Sequence, residues 1–172
     1  MTPVLRTAHL RIEPFSESHL TARYVSWLND AEVVCYSEQR HNHHTLESCK
    51  AYVSAMASSD NHLWAMVHDQ SPSGHIGNIA AYIDLNNYLA DVTILIGDRS
   101  AWGRGLGGEA WSAVCDHLLD CGMRKVTGGT MSVNKAMVRI MERAGMVPDG
   151  RRSNHYVLAG ERVDLVHFAK YA

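Results

Sequence analysis

No apolar run in this 172-residue sequence approaches the roughly 18–20 residues that a membrane-spanning helix needs. Its first residues, MTPVLRTAHLRIEPF, lack the basic-then-apolar pattern of a secretory leader. Membrane-spanning and exported classes are set aside, and a cytoplasmic protein with no membrane partner is the expectation. The four cysteines, Cys35, Cys49, Cys115 and Cys121, form no C-x-x-C pair. Two of them fall at apolar helical positions, so the set reads as reduced, buried thiols. A metal centre is not expected either. His41, His43 and His44 in RHNHHT lack helical or Cys-paired spacing, and they read as a solvated loop.

Charge of one sign is also missing. The net charge is −2, which gives a nucleic-acid partner no bulk electrostatic support. Its distribution is uneven: residues 1–98 hold 5 Lys and Arg against 11 Asp and Glu, whereas residues 99–152 hold 9 against 5. An anionic ligand is favoured near the second segment, although chance scatter of surface charge would give the same counts. No repeat, low-complexity tract or Pro/Ser-rich linker marks a boundary, so residues 1–172 read as a single domain. With 46% hydrophobic and 20% charged residues, the chain has the composition of a folded globular protein long enough to bury a core.

The periodicity alternates along the chain. An extended stretch at His9 to Glu13 precedes a helical one, Ser16 to Asn29, with Leu20, Tyr24 and Leu28 at spacing four. Thr45 reads as the N-cap of a helix carrying Leu46, Cys49, Val53 and Met56 on one face. Strands follow at His62–His68, His75–Asp84 and Asp91–Ile96, separated by the turn-rich DQSPSG and LNNYLA. Leu106, Ala110, Val114 and Leu118 stripe a third helix closed by Gly122, and Lys125–Val133 is another strand. Asn134 caps a fourth helix with Ala136, Ile140 and Ala144, ended by Gly145 with Pro148 beyond. Strands near Arg152–Leu158 and Val163–Ala169 complete an α+β or mixed-sheet pattern. Trp27, in YVSWLND, is expected in the core.

Between a strand and a helix lies WGRGLGGEAW, with four glycines from Gly103 to Gly108 and an arginine. Glycines there let backbone N–H groups approach a ligand, and a helix start adds a partial charge of about +0.5, which suits phosphate. A packing turn is the plain alternative. Gly103, Gly105 and Gly108 formally satisfy the dinucleotide pattern G-x-G-x-x-G, but that site needs an acidic residue about 20 positions on to hold a ribose. The next strand ends TMSVN without one, and no G-K-[ST] follows to make a P-loop.

IGDRSAWGRGLGGEA resembles the pyrophosphate loop of the GNAT superfamily of acyl-coenzyme A-dependent N-acetyltransferases, whose pattern is Q/R-x-x-G-x-G/A. It is most similar to the branch of ribosomal-protein N-terminal, spermidine and amino-sugar acetyltransferases, which often read W-G-K-G-Y-G-T-E-A. LRTAHLRIEPF, YVSWLNDAEVV and SVNKAMVRIMERAGM extend the resemblance over most of the chain in the right order. It implies a GNAT-like α+β fold, a mixed, mostly antiparallel sheet with a splayed pair of strands and about four flanking helices. It also implies acetyl-coenzyme A as cosubstrate, and as acceptor a small-molecule amine or a peptide N-terminus. A homodimer is compatible with it.

Residue by residue, the resemblance assigns the backbone of Ile94, Leu95 and Ile96 to the pantetheine arm and the loop Gly103, Arg104, Gly105, Leu106, Gly107 and Gly108 to the pyrophosphate. Arg99 or Arg104 would meet the phosphate charge. Asn134 and Arg139 would face the cofactor, with a plain N-cap as the alternative for Asn134. The N–H near Leu95 would stabilise the oxyanion, and Asp91 would act as general base, directly or through water; a polar strand-start residue is its other reading. In the family the segment between the first two helices borders the acceptor pocket, so Tyr36, Glu38 and Arg40 would be substrate contacts. Met137 and Met141 stand where relatives carry a serine or a proton-donating tyrosine. The acid is therefore unassigned, with Tyr156, His155 and Ser132 as candidates. A thiol of pKa roughly 8.5 can also leave unaided. The rival readings are a coenzyme A-binding module without turnover and a nicotinamide-dependent redox protein.

Overall fold

Alternating apolar positions make eight strands, and period-3.6 stripes make four helices, among the residues described in this computed structural model, 2–71 and 74–172. Pro72 and Ser73, in the expected DQSPSG turn, lie outside the described residues. The strands are β1 (Leu5–Arg6), β2 (Arg11–Pro14), β3 (His62–Val67), β4 (His75–Asp84), β5 (Leu89–Ile96), β6 (Lys125–Met131), β7 (Val147–Leu158) and β8 (Glu161–Tyr171). The helices are α1 (Ala22–Leu28), α2 (Leu46–Ala57), α3 (Leu106–Asp120) and α4 (Lys135–Arg143). One sheet runs in the order β1-β2-β3-β4-β5-β6-β8-β7. Every neighbouring pair is antiparallel except β5 and β6.

The two faces of the sheet bury different partners. On one, Ile12, Trp64, Met66, Ile79 and Val92 pack against the α3 stripe Leu106, Ala110, Val114 and Leu118 and against Met141 and Ala144 of α4. Each fully buried Leu or Val there contributes roughly 1.5–3 kcal/mol relative to exposure. On the other, Leu63, Ala80 and Met56 make a smaller cluster beneath α2, and Tyr24, Trp27 and Cys49 form a third between α1 and α2.

The expected elements recur with instructive differences. The helical stretch from Ser16 divides into a 3-10 turn at Glu17–His19 and α1, because Thr21 caps a fresh start by accepting from the Tyr24 N–H. Thr45 caps α2 as expected, but Leu46 is exposed and Tyr52 turns inward. In α4 the buried side is Met137, Ile140, Met141 and Ala144; Ala136 is exposed, since its position lies about a quarter turn from the centre of that stripe. β7 starts five residues earlier than expected and carries two bulges on the sheet edge, where exposed polar residues and Pro148 are tolerated. Cys49 and Cys115 are buried thiols, Cys115 pushed up to about 12 by burial, whereas Cys121 is exposed. No helix of the described residues is long and apolar enough to cross a membrane.

Candidate active site

The one parallel pair is joined over only three rungs. Leu89, Ala90 and Asp91 face Lys125, Val126 and Thr127, and beyond Thr127 the strands diverge. Val92 to Ile96 thus border a gap about 16 Å long at roughly 3.3 Å per residue. Three bonds fix which backbone groups look into it. The Gly97 N–H donates to the Ile76 carbonyl beyond the start of β4 (3.0 Å), whereas the Ala90 carbonyl accepts from the Thr127 hydroxyl of β6 (3.3 Å). The Ile96 carbonyl, in phase with Ala90, accepts from the Trp102 indole (2.9 Å). By the alternation of a strand, Val92, Ile94 and Ile96 turn their N–H groups toward the gap and Leu95 turns its N–H toward β4. Leu95 thus turns its own N–H to the sheet, and of the N–H groups near it those of Ile94 and Ile96 look into the gap.

The mouth of the gap is the glycine loop. Asp98 organises it, accepting from the Ser100 N–H (3.0 Å) and hydroxyl (2.7 Å), the Ser71 hydroxyl (3.0 Å) and Arg23 (2.8 Å). Burial alone would raise this carboxyl, but those hydrogen bonds outweigh it and hold it below the usual range. Gly105 precedes α3 at φ +81°, and no side chain caps the helix. The first intrahelical bond runs from Glu109 N–H to the Gly105 carbonyl, which leaves the N–H groups of Leu106, Gly107 and Gly108 without helical acceptors. Such a start accepts an anion. Gly107 has a different role: a Cβ there would stand 2.7 Å from Ile96 Cδ1, so this glycine lets α3 lie close on β5.

The expected cations divide. Arg99 pairs with Glu32 and lies 4.0 Å from Asp30, so its charge is already committed outside the gap. Among the described residues, Arg104 and Arg139 are exposed and make no ion pair. Asn134 caps α4 by accepting from Met137 N–H (3.2 Å) and donates to the Thr130 hydroxyl (3.0 Å), which fulfils its N-cap reading. Met141 is fully buried, with its sulfur beneath Gly128. Tyr156 and His155 stand on β7, two strands beyond β6, and Ser132 lies just past the end of β6.

Asp91 occupies the last joined rung and accepts from the Thr127 hydroxyl (2.6 Å). Solvent reaches its side chain, yet the surrounding strands desolvate the carboxyl enough to push it above the ordinary value, against the opposing pull of Thr127 and His167. Its side chain shares a face with Thr93 and with its cross-strand neighbour Tyr82. That face forms the floor of a cavity of about 370 Å³ roofed by α1 and α2, lined by Tyr52, Asn78, Tyr82 and Thr93 and reaching Ile94 and Leu95 at the gap. The Tyr52 and Tyr82 hydroxyls meet at 3.0 Å.

The residues expected at an acceptor pocket lie one position away from the residues that line this cavity. Ser37 and Gln39 line this cavity; Tyr36, Glu38 and Arg40 do not. The 3-10 turn at Glu38–His41 rotates Arg40 away, where it binds Glu38 (2.6 Å) and the Ser37 and Val157 carbonyls. His44, expected in a solvated loop, instead lines the cavity with a buried Nε2. Asn78 and Tyr82 belong to no motif; their signal in the sequence is two polar residues at even spacing within the apolar run 76–83 of β4. No group of three His, Cys, Asp or Glu among the described residues is placed to hold a metal.

A splayed parallel pair beside an uncapped, glycine-fronted helix offers a row of backbone N–H groups to an extended ligand that ends in an anion. The model of the acetyltransferase (GNAT) domain matches residues 9–147, and the chain belongs to this family of N-acetyltransferases. Among solved structures it is similar to RimL, a ribosomal-protein α-N-acetyltransferase in complex with coenzyme A (TM-score 0.84, 16% identity, 98% of each chain covered). It is also similar to spermidine N-acetyltransferase from Vibrio cholerae in complex with coenzyme A and spermine (TM-score 0.84, 14% identity, 96% of each chain). A ribosomal-protein alanine acetyltransferase from Vibrio fischeri gives a TM-score of 0.83 at 14% identity, covering 98% of this chain and 96% of that one. At such identities the likeness is one of fold. A sequence search of curated proteins gives no match.

Proposed function

We propose that the protein transfers an acetyl group from acetyl-coenzyme A directly to the primary amine of a small metabolite. The observation that carries this reading is the divergence of β5 from β6 after Asp91, which leaves a row of backbone N–H groups between the glycine-fronted start of α3 and the acceptor cavity. In this reading the pyrophosphate meets the N–H groups of Leu106, Gly107 and Gly108, with Arg104 and Arg139 supplying cations. The pantetheine arm pairs with Ile94 and Ile96. The amine nitrogen attacks the thioester carbonyl carbon from the cavity side, and a gap-facing N–H that the arm leaves unpaired stabilises the oxyanion. Asp91 takes the amine proton; burial raises its affinity for protons, which suits that task. The carbon–sulfur bond then breaks, and the thiolate leaves without a side-chain acid, since Met141 has no proton to give.

A coenzyme A-binding module without turnover is the second reading, favoured by the burial of Met141 where relatives carry a donor. Thiol release from acetyl-coenzyme A, measured with the purified protein and a panel of amines, separates the two. Amine-dependent release is the expected result; tight coenzyme A binding with no release for any amine would establish the module. Family membership leaves the nicotinamide reading without support.

A further inference from the structure

Asn78 holds a polar group that the protein leaves unanswered. The residue is 7% exposed, lines the acceptor cavity from β4 beside Ala80 and Tyr82, and stands directly across from Leu95, where the cavity meets the gap. Its side-chain oxygen is taken. Oδ1 lies 2.9 Å from His75 Nε2, which also lies 3.0 Å from the Gly77 carbonyl. A ring nitrogen that close to a backbone carbonyl has to carry its proton, so His75 donates, and the Asn78 atom facing it is the oxygen. The amide NH2 is thereby turned away from His75. It has no hydrogen-bonding partner among the described residues, and unlike the Nε2 atoms of His44 and His167 it is not sealed from the cavity space.

This direction is firmly held. The His75 carbonyl accepts from Arg23 (3.1 Å), and the same guanidinium donates to Asp98 (2.8 Å), so the residue that orients Asn78 is anchored to the network that shapes the glycine loop. The His75 ring packs edge-on against Trp27 and His19, with centroids 5.0 and 5.1 Å apart. Fixed polarity sets Asn78 apart from the rest of the lining. The hydroxyls of Tyr52, Tyr82 and Thr93 both donate and accept, and the Gln39 amide can turn over, since no side-chain hydrogen bond among the described residues fixes it. Asn78 is locked as a donor. A second ammonium gains nothing from it, whereas an oxygen with a free lone pair does. A buried donor left unpaired has lost its hydration without return, so a site built this way discriminates against a ligand that lacks the matching oxygen.

Resting on the acetyltransferase reading, we infer that Asn78 is a specificity-determining residue, whose amide donates to a hydroxyl or carbonyl oxygen borne close to the reacting nitrogen of the acceptor. Closeness follows from the register: facing residues of an antiparallel pair stand roughly 5 Å apart, and the partner of Asn78 is Leu95, at the opening onto the gap.

The test uses three amines of one skeleton that differ beside the nitrogen: α-ethylbenzylamine with an ethyl group, phenylglycinol with a hydroxymethyl and phenylglycinamide with a carboxamide. Each is titrated calorimetrically into the coenzyme A-saturated protein, and thiol release from acetyl-coenzyme A is measured with each. Phenylglycinol or phenylglycinamide should bind at least tenfold more tightly than α-ethylbenzylamine, the better of the two telling hydroxyl from carbonyl. That ligand should also shift the Asn78 side-chain amide resonance in the proton–nitrogen correlation spectrum of the unaltered protein. Asn78→Asp keeps the oxygen that His75 binds and exchanges the donor for an acceptor, and Asn78→Leu keeps the bulk. In both, the advantage should fall to within threefold while coenzyme A affinity is unchanged; in Gln39→Ala it should persist. Equal binding of the three amines, binding of none, an Asn78 resonance unmoved by the tighter ligand, or an advantage that survives in Asn78→Asp would overturn the inference. Oxygen-selective binding without thiol release would leave the contact standing and overturn the acetyltransferase reading. Failure to bind coenzyme A would overturn that reading and, with it, the acceptor role given to Asn78.

Discussion

Gly105 allows the phosphate placement to be tested apart from folding. It sits at φ +81° immediately before α3, and a Cβ there would meet nothing within 4 Å. Alanine therefore costs only the left-handed backbone penalty, about 1–2 kcal/mol. Aspartate carries the same penalty, but its carboxylate lies at the positive end of a 15-residue helix and regains about 0.3–1 kcal/mol. Gly105→Asp should melt no lower than Gly105→Ala. Binding should move the other way. A carboxylate about 4 Å from a phosphate charge costs roughly 1 kcal/mol even at the dielectric of water, and about 4 kcal/mol at an effective value of 20. Applied to both phosphates, the lower figure alone gives about 2 kcal/mol, or roughly thirtyfold weaker binding. Calorimetric titration of coenzyme A into both variants, with melting curves as the control, reads the contrast. Affinities within threefold of each other would remove the pyrophosphate from the start of α3.

Asp91→Asn should lower kcat by roughly 10²–10⁴-fold and leave coenzyme A affinity unchanged in steady-state and calorimetric measurements, the loss ordinary for a missing general base; wild-type kcat would dismiss the assignment. Because burial raises this carboxyl, the acidic limb of the kcat/KM profile should lie above the ordinary aspartate value of about 3.9 and disappear in the variant. Asp98→Ala removes four hydrogen bonds from the loop and the ion pair of Arg23, which should cost about 1–3 kcal/mol in denaturant unfolding at neutral pH. The folded carboxyl has a lowered pKa, so its contribution is complete above the unfolded value of about 3.9 and fades as pH falls through the folded one. The gap between wild type and variant should accordingly narrow below about pH 4, and a gap constant from pH 7 to pH 2 would contradict an origin in the Asp98 carboxylate. Met141→Tyr, although it restores the residue of many relatives, should destabilise by about 1–3 kcal/mol without raising kcat, because Met141 is fully buried beneath Gly128 and a larger ring overpacks that space.

Much of the fold is legible in the sequence because the relevant signals are local. Thr45 and Asn134 cap the helices expected of them, and the α3 stripe from Leu106 to Leu118 is buried as its period demands. The glycine loop is legible because its pattern is short, contiguous and matched by a family. The acceptor cavity is less so. Ser37 and Gln39 differ from Tyr36, Glu38 and Arg40 by a single step along a 3-10 turn, whose phase no hydrophobic repeat fixes. Arg99 reads as a free cation until the loop between α1 and α2 brings Glu32 to it from 67 positions away. Which N–H near Leu95 looks into the gap is illegible for a related reason: side-chain pattern reveals which face a residue takes, whereas the direction of its N–H depends on which neighbouring strand it bonds.

That same strand explains why these functions occur together. Along β5, Ile94 and Ile96 turn their side chains to α3, where Gly107 makes room for them, and their N–H groups to the gap. Asp91, Thr93 and Leu95 turn their side chains to the cavity face and their N–H groups to β4. A slip of one residue would exchange every role at once: isoleucines would fill the acceptor cavity and Asp91 would enter the apolar face beneath α3. Eight unbroken pairs from Gly77–Ile96 to Asp84–Leu89 oppose that slip. Gly77 contributes to the lock, since a Cβ there would stand 2.3 Å from the Leu95 carbonyl. The arrangement at the gap therefore rests as much on the β4–β5 register, set on the side of the strand that faces away from it, as on the residues that line it.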